Sequence, residues 1–244
     1  MSPSTTGDGV ETGAHLIDCQ PSAGCFAHEM APDFIDFEKR CRAALAAQGG
    51  DAAHDLAHVE RVVANARQLA AAEGARLEVV LPAAWLHDCV TVPKDSPQRA
   101  AASRLAATQA LRWLAEWGYP EQWWPEIAHA IAAHSFTAGI TPDTLEAKVV
   151  QDADRLDAIG ATGLARCLML GGAMGRPLYA ADDPFCENRA PDDRASAVDH
   201  FYTKLLKLEG TMQTGSGRGE ARARTEFLRA FLAQLKREIG SGNK

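Results

Sequence analysis

The stretch LPAAWLHDCV, residues 81–90, constrains the fold most strongly, because it sets the doublet His87–Asp88 inside an apolar run. Leu81, Ala83, Ala84, Trp85 and Leu86 precede the doublet, and Cys89 and Val90 follow it. A fold that buries this run also takes the doublet out of water. A carboxylate so placed must be paired, protonated or bound to a metal, since an isolated buried charge is very costly. The neighbouring imidazole adds a nitrogen ligand that Zn, Mn, Fe, Co and Ni accept. Taken alone, the doublet reads more simply as a helix terminus with a hydrogen-bonded His and an exposed Asp. The rest of the chain alters that balance.

The surrounding pattern is helical. Phe34, Ile35, Phe37, Cys41 and Leu45 suit a first helix closed by Gly49–Gly50. Leu56, Val59, Val62, Val63, Ala66, Leu69 and Ala70 mark a second, with Asp55 as a possible N-cap and Gly74 at its end. His58 lies on the apolar side of that helix, where a core His with a backbone partner is the competing reading. Pro82 is either a first-turn residue of the next helix or a kink in a longer one. Ser96–Pro97 suits an N-cap and first position for a helix running through Leu105, Leu111 and Leu114 to Gly118.

Residues 121–136 predict a helix starting near Pro125, and its geometry separates two histidines. His134 projects about 20° from Ile127, on the apolar face, whereas His129 projects about 160° away and is expected to be exposed. A further helix, about Asp143 to Gly163, carries QDADRLDAIGA and is apolar on two sides, which marks a central helix. Asp152 falls on one stripe and Asp154 on the other, so either can be a buried carboxylate; Arg155 and Asp157 fall toward the flanks. An irregular stretch then runs to about Pro191, of a length that is uncommon unless functional or mobile. A helix from Ala195 to Leu208 follows, and a last one over 219–239 comes after the Gly-rich TGSGRG. No alternating β-branched run stands out. The expectation is an all-α fold, with residues 1–31 as a mobile extension and 32–244 as one helical domain.

Composition narrows the function classes. With 46% hydrophobic and 23% charged residues, the 244-residue chain reads as an ordinary soluble globular protein. A net charge of −7 argues against an extended nucleic-acid surface, though not against a single nucleotide held through a metal ion. No apolar run approaches 18 residues, so no membrane span is expected. The six cysteines show no C-x-x-C spacing, and the N-terminal MSPSTTGDGVETG lacks the regions of a secretory signal. The expected location is the cytoplasm. His15 and His28 are expected to be solvated.

The ordered set His58, His87–Asp88 and Asp154 resembles the HD-domain superfamily of metal-dependent phosphohydrolases, whose ligands follow the order H…HD…D. The closer likeness is to small bacterial HD proteins, through HDLAHVERV, AAWLHDCV, VPKDSPQR, IAAHSF, VVQDADRLDAIGA and HFYTKLLKL. It spans about residues 34–239. The resemblance implies His58 rather than His54 as first ligand and Asp154 rather than Asp152 as last. It further implies one divalent ion (Mn, Co, Ni, Fe, Mg or Zn), an HD-type helical bundle, and hydrolysis of a phosphoanhydride or phosphoester in a nucleotide. Members near this pattern look like nucleoside triphosphate pyrophosphatases.

Physical chemistry agrees with that implication. Two His and two carboxylates leave open positions on a six-coordinate ion, which can lower the pKa of a bound water and polarise a P–O bond. Asp88 or Asp154 is the candidate to orient the attacking water. Lys94, Arg99 and His134 are candidates to offset phosphoryl charge, with Lys94 and Arg99 near a helix N-terminus. Arg61 and Arg155 are weaker candidates for the same task, and His54 and Asp55 are candidate partners of a ligand His. Two rivals stand beside this reading. One is a nucleotide-binding regulator without turnover; the other is a di-iron oxygenase, which would need further ligands such as His129 and His134. Five residues apart on one helix, those two diverge by about 140° and should not share a dinuclear site.

Overall fold

The computed structural model describes residues 33–48, 56–92, 96, 98–135 and 138–240, apart from the side chains of Gln48 and Arg99. The expectations for residues 1–31, Gly49–Gly50, His54, Asp55, Lys94 and Pro97 lie outside the described residues. Within them the fold is all-α. The helices are α1 (Phe34–Gln48), α2 (Leu56–Glu73), α3 (Leu77–Leu86), α4 (Ala102–Glu116), α5 (Trp124–His134), α6 (Leu145–Asp157), α7 (Gly160–Ala173), α8 (Ala197–Thr203) and α9 (Gly215–Gly240). Short 3-10 turns precede α4 and α5, and a longer one, Leu205–Thr211, joins α8 to α9. No described helix is long and apolar enough to cross a membrane.

Four helices form the centre: α3 packs on α2, α5 and α6, and α6 packs on α2, α3 and α5. The sequence LEVVLPAAWL explains why α3 is inside, since every residue from Val79 to Leu86 is buried. A helix apolar all round has no face to give to water. Pro82 lies in its interior, so the longer-helix alternative is the correct one. Proline has no N–H to offer the carbonyl four residues earlier. That carbonyl, on Glu78, instead accepts the Tyr119 hydroxyl at 2.6 Å, so the orphaned acceptor is satisfied.

α6 is central, as its two apolar stripes predict, and Thr144 caps it by accepting from the Ala147 amide at 3.1 Å. Its expected continuation to Gly163 does not occur. The chain breaks at Ala158–Ile159, and Gly160 has φ +72°, a left-handed conformation that costs glycine little. α7 therefore starts as a separate helix. The stretch beyond it is anchored rather than loose: Asp199, fully buried, accepts from Arg189 Nη1 at 2.6 Å, Ser196 Oγ at 2.6 Å and the Asp192 amide at 2.7 Å. The helix expected over Ala195–Leu208 is shorter, ending at Thr203 before the 3-10 turn. The last helix starts at Gly215, inside the Gly-rich segment. Gly217 lies where a Cβ would overlap Asp152 Oδ2 and Thr214 Oγ1, so the close approach of α9 to α6 requires glycine there.

Candidate metal centre

Three histidines from three helices line one site, and each is turned the same way. His87 follows the last residue of α3 and donates Nδ1–H to the Ala84 carbonyl at 2.8 Å. His134 ends α5 and donates Nδ1–H to the Ile131 carbonyl at 2.7 Å. A carbonyl only accepts, so in both rings Nδ1 carries a proton, and in the neutral ring Nε2 keeps its lone pair. Both bonds also occupy carbonyls left without partners at the helix ends. His58, near the start of α2, reaches the same state through a carboxylate, its Nδ1 lying 2.7 Å from Asp157 Oδ2.

The three Nε2 atoms face two carboxylates. His58 Nε2 is 3.6 Å and His87 Nε2 is 3.8 Å from Asp154 Oδ1. His87 Nε2 is 3.6 Å from Asp88 Oδ2, and His134 Nε2 is 3.5 Å from Asp88 Oδ1. These spacings fall between the roughly 3.0 and 4.2 Å separating adjacent and opposite ligands about 2.1 Å from one ion. His58, His87 and Asp88 each offer a ligand atom within 4.8 Å of the others.

His87 Nε2 makes the test sharper. It is fully buried and has no hydrogen-bond partner among the described residues. Trp85 Nε1 and Ser216 Oγ are also buried without a partner, but His87 Nε2 differs in lying 3.6 Å from Asp88 Oδ2 and 3.8 Å from Asp154 Oδ1, where an ion would pair it. Burial holds His87 below the ordinary histidine range, which favours the neutral ring a metal needs. Burial also pulls His134 down, but the adjacent Asp88 outweighs it and the net direction is upward. The donor set and the orphaned nitrogen therefore fit a divalent ion. The imidazoles form a buried floor, while the Asp88 and Asp154 side chains keep 26% and 29% of their exposure. Solvent thus reaches the site from the carboxylate side.

The other sequence candidates separate clearly. Asp152 is fully buried but belongs to the opposite side of α6, accepting from the Gln213 amide at 2.9 Å and the Thr214 hydroxyl at 2.7 Å. Arg61, read from sequence as a phosphate contact, instead pairs with Asp157 Oδ1 at 2.6 Å. It is thereby tied to the Nδ1 side of His58, away from the ring edge that faces Asp154. Arg155 donates to the Thr211 carbonyl at 2.6 Å. His129 is half-buried rather than exposed, and its Nε2 accepts from the Asp143 amide at 3.0 Å. Arg99 begins a 3-10 turn before α4, and only its backbone is described.

The sequence reading missed Asp157 and Arg166. The helical wheel puts Asp157 on a flank of α6, yet it is 1% exposed. Burial pushes its carboxyl up, but His58, Arg61 and Arg166 outweigh this and hold it well below the usual carboxylate range. The available signal was its position one turn after Asp154, combined with the need of a ligating His for a partner on its second nitrogen.

The HD domain family model matches residues 55–159, from the start of α2 to the end of α6. YpgQ of Bacillus subtilis is 35% identical over 190 residues, covering 76% of this chain and 84% of YpgQ. The crystal structure of that protein in complex with ADP matches with a TM-score of 0.62 at 33% identity, over 82% of this chain and 97% of the other. An HD-superfamily hydrolase from Bacillus thuringiensis matches with a TM-score of 0.64 at 30% identity, over 83% and 98%. A Lactobacillus plantarum protein matches with a TM-score of 0.66 at 32% identity, over 87% and 100%. The matched region contains His58, His87, Asp88 and Asp154 in the order that the resemblance required, and the chain belongs to the HD-domain superfamily, with the fold of its hydrolases.

Proposed function

We propose that this protein is a metal-dependent phosphohydrolase acting on nucleotides, and that it cleaves a nucleoside triphosphate between the α and β phosphates to release pyrophosphate. The observation that carries the reading is the convergence of buried Nε2 atoms on the half-open Asp88–Asp154 rim, with His87 Nε2 unpartnered among the described residues. His58, His87, Asp88 and Asp154 would hold one divalent ion. That ion supplies Lewis acidity toward a phosphate oxygen and lowers the pKa of water.

The chain's own residues do the rest. Asp88 or Asp154 is the acceptor that orients an attacking water, since both keep side-chain exposure at the site. His134, beside Asp88, and Lys94 and Arg99, downstream of the doublet, offset charge on the transferring group. Nucleotide as substrate class is supported by the ADP complex of YpgQ, a relative of similar fold. The α–β bond follows from the likeness to the pyrophosphatase-like HD proteins.

Hydrolysis in heavy-oxygen water tests the reading. Label in the nucleoside monophosphate, together with released pyrophosphate, is the expected result. Label only in inorganic phosphate means a phosphatase. A metal-loaded protein that binds nucleotide but hydrolyses no phosphate compound is a regulator, and metal-dependent oxygen uptake indicates a di-iron enzyme; either result overturns the proposal.

A further inference from the structure

We infer that Asp157, gripped by Arg61 from α2 and Arg166 from α7, is a positioning residue that fixes the orientation of His58 for metal binding. This rests on the metal-centre reading above and goes beyond it, since Asp157 lies outside the ligand set. An imidazole on an α-helix rotates about two side-chain bonds, and a ligand nitrogen must be aimed to within a few tenths of an ångström. His87 and His134 solve this locally, because each bonds the carbonyl three residues before it at a helix end. His58 lies in the first turn of α2, at the end of a helix that leaves N–H groups rather than carbonyls unpaired. Its Nδ1–H goes instead to a residue 99 positions away, at 2.7 Å.

That partner is itself immobilised. Arg61 donates Nε–H to Asp157 Oδ1 at 2.6 Å and Nη2–H to Oδ2 at 3.2 Å, the two-point fork that guanidinium and carboxylate share. Arg166 Nη1 donates to Oδ2 at 2.5 Å. A lone carboxylate at 1% exposure would be costly; with two cations and an imidazole N–H it is held as a fixed acceptor. The arginines come from different helices, so the clamp also ties α2 and α7 to the end of α6. His58 Nε2 is thereby left facing Asp154 Oδ1.

The test measures Mn2+ and Co2+ affinity calorimetrically in the full-length chain, with Co2+ absorption reporting ligand geometry. Asp157→Ala is expected to lose 10–100-fold in affinity, the range for outer partners of a metal-binding His, and to change the Co2+ spectrum. Asp157→Asn keeps the volume and one acceptor oxygen, is expected to lose less, and reports in place of the alanine variant should that one not fold. His58→Ala separates the two layers of inference. If it binds metal like the parent, the metal-centre reading fails. If it loses metal while both Asp157 variants stay within twofold of the parent, only the positioning role fails. In the His58→Ala background, Asp157→Ala is expected to have no further effect on residual Co2+ binding, because the coupled group is gone. An undiminished second loss there overturns the proposal in favour of a general structural role.

Discussion

The two sides of α6 carry carboxylates two residues apart with opposite fates. Asp154 meets only His58 and His87 Nε2, at 3.6 and 3.8 Å, among the described residues, and keeps part of its surface. Asp152 is fully buried and accepts from the Gln213 amide, the Thr214 amide and the Thr214 hydroxyl. Burial pushes the Asp152 carboxyl up against the pull of those donors. Thr214 then accepts from the Gly217 amide at 3.0 Å, so Asp152 anchors the residue that caps α9. The same side chain serves structure where its acceptor sites are filled by the chain, and is available for chemistry where they are not. Burial alone does not distinguish a ligand; unfilled coordination does.

The largest effect that can break this comparison is an exchange of phenotypes. Asp154→Ala is expected to reduce metal affinity by more than the roughly 10–100-fold typical of losing an outer partner, without lowering the melting temperature of the metal-free protein. Saturating metal, at 100 times its Kd, should stabilise the parent by about 2.7 kcal/mol and this variant far less. Asp152→Ala should do the reverse. It strands two amides and a hydroxyl, costing about 3 kcal/mol, or roughly 6–12 °C in Tm for a chain of this size, while metal affinity is kept. Calorimetric melts with and without Mn2+ read both variants. A loss of metal in Asp152→Ala at temperatures where it is folded would erase the distinction.

The Asp154 side of α6 was legible in the sequence as a place where polar groups turn inward, and the reasons are physical. His58 and His134 fall on apolar faces, and His87–Asp88 sits in an apolar run, so hydrophobic periodicity alone turns them inward. Asp154 and Asp152 could not be separated by that means, because both lie on apolar stripes; the difference is made by residues 213–214, about 60 positions away. Asp157 was illegible to periodicity for the same reason. Its burial is compensated by Arg61 and Arg166, and periodicity counts apolar neighbours rather than cations. The early start of α9 was hidden by glycine, which signals a turn by default, and the break before α7 by the apolar residues on either side of Gly160 that continue the helical pattern. Gly160 does make a turn, whereas Gly217 sits inside a helix because Asp152 leaves no room for a Cβ.

That last point gives a smaller and sharper test. Gly217→Ala improves helix propensity by about 1 kcal/mol in an open position. Here the new methyl meets Asp152 and Thr214 atoms, so a net loss of about 1–3 kcal/mol is expected, as for overpacking. In an Asp152→Ala background the clash with the carboxylate disappears, and the substitution should become less harmful by more than the roughly 0.5 kcal/mol allowed to independent sites. Thermal melts of the four proteins complete the cycle. Additive losses would show that the approach of α9 to α6 does not depend on this carboxylate.

The smallest expected effect belongs to His129, and it bears on how many metal ions the site holds. His129 and His134 share α5, but His134 turns Nε2 to Asp88 while His129 accepts from the Asp143 amide. Asp143 is exposed, so water can replace the imidazole when it is removed. His129→Ala should therefore cost at most about 1 kcal/mol, the net value of one ordinary hydrogen bond. Metal content should stay at one ion per chain, with hydrolysis unchanged. A dinuclear oxygen-activating centre that draws on this histidine would behave differently: elemental analysis of the variant would show metal falling from two ions toward one. The different commitments of two histidines on one helix are thus open to a direct count.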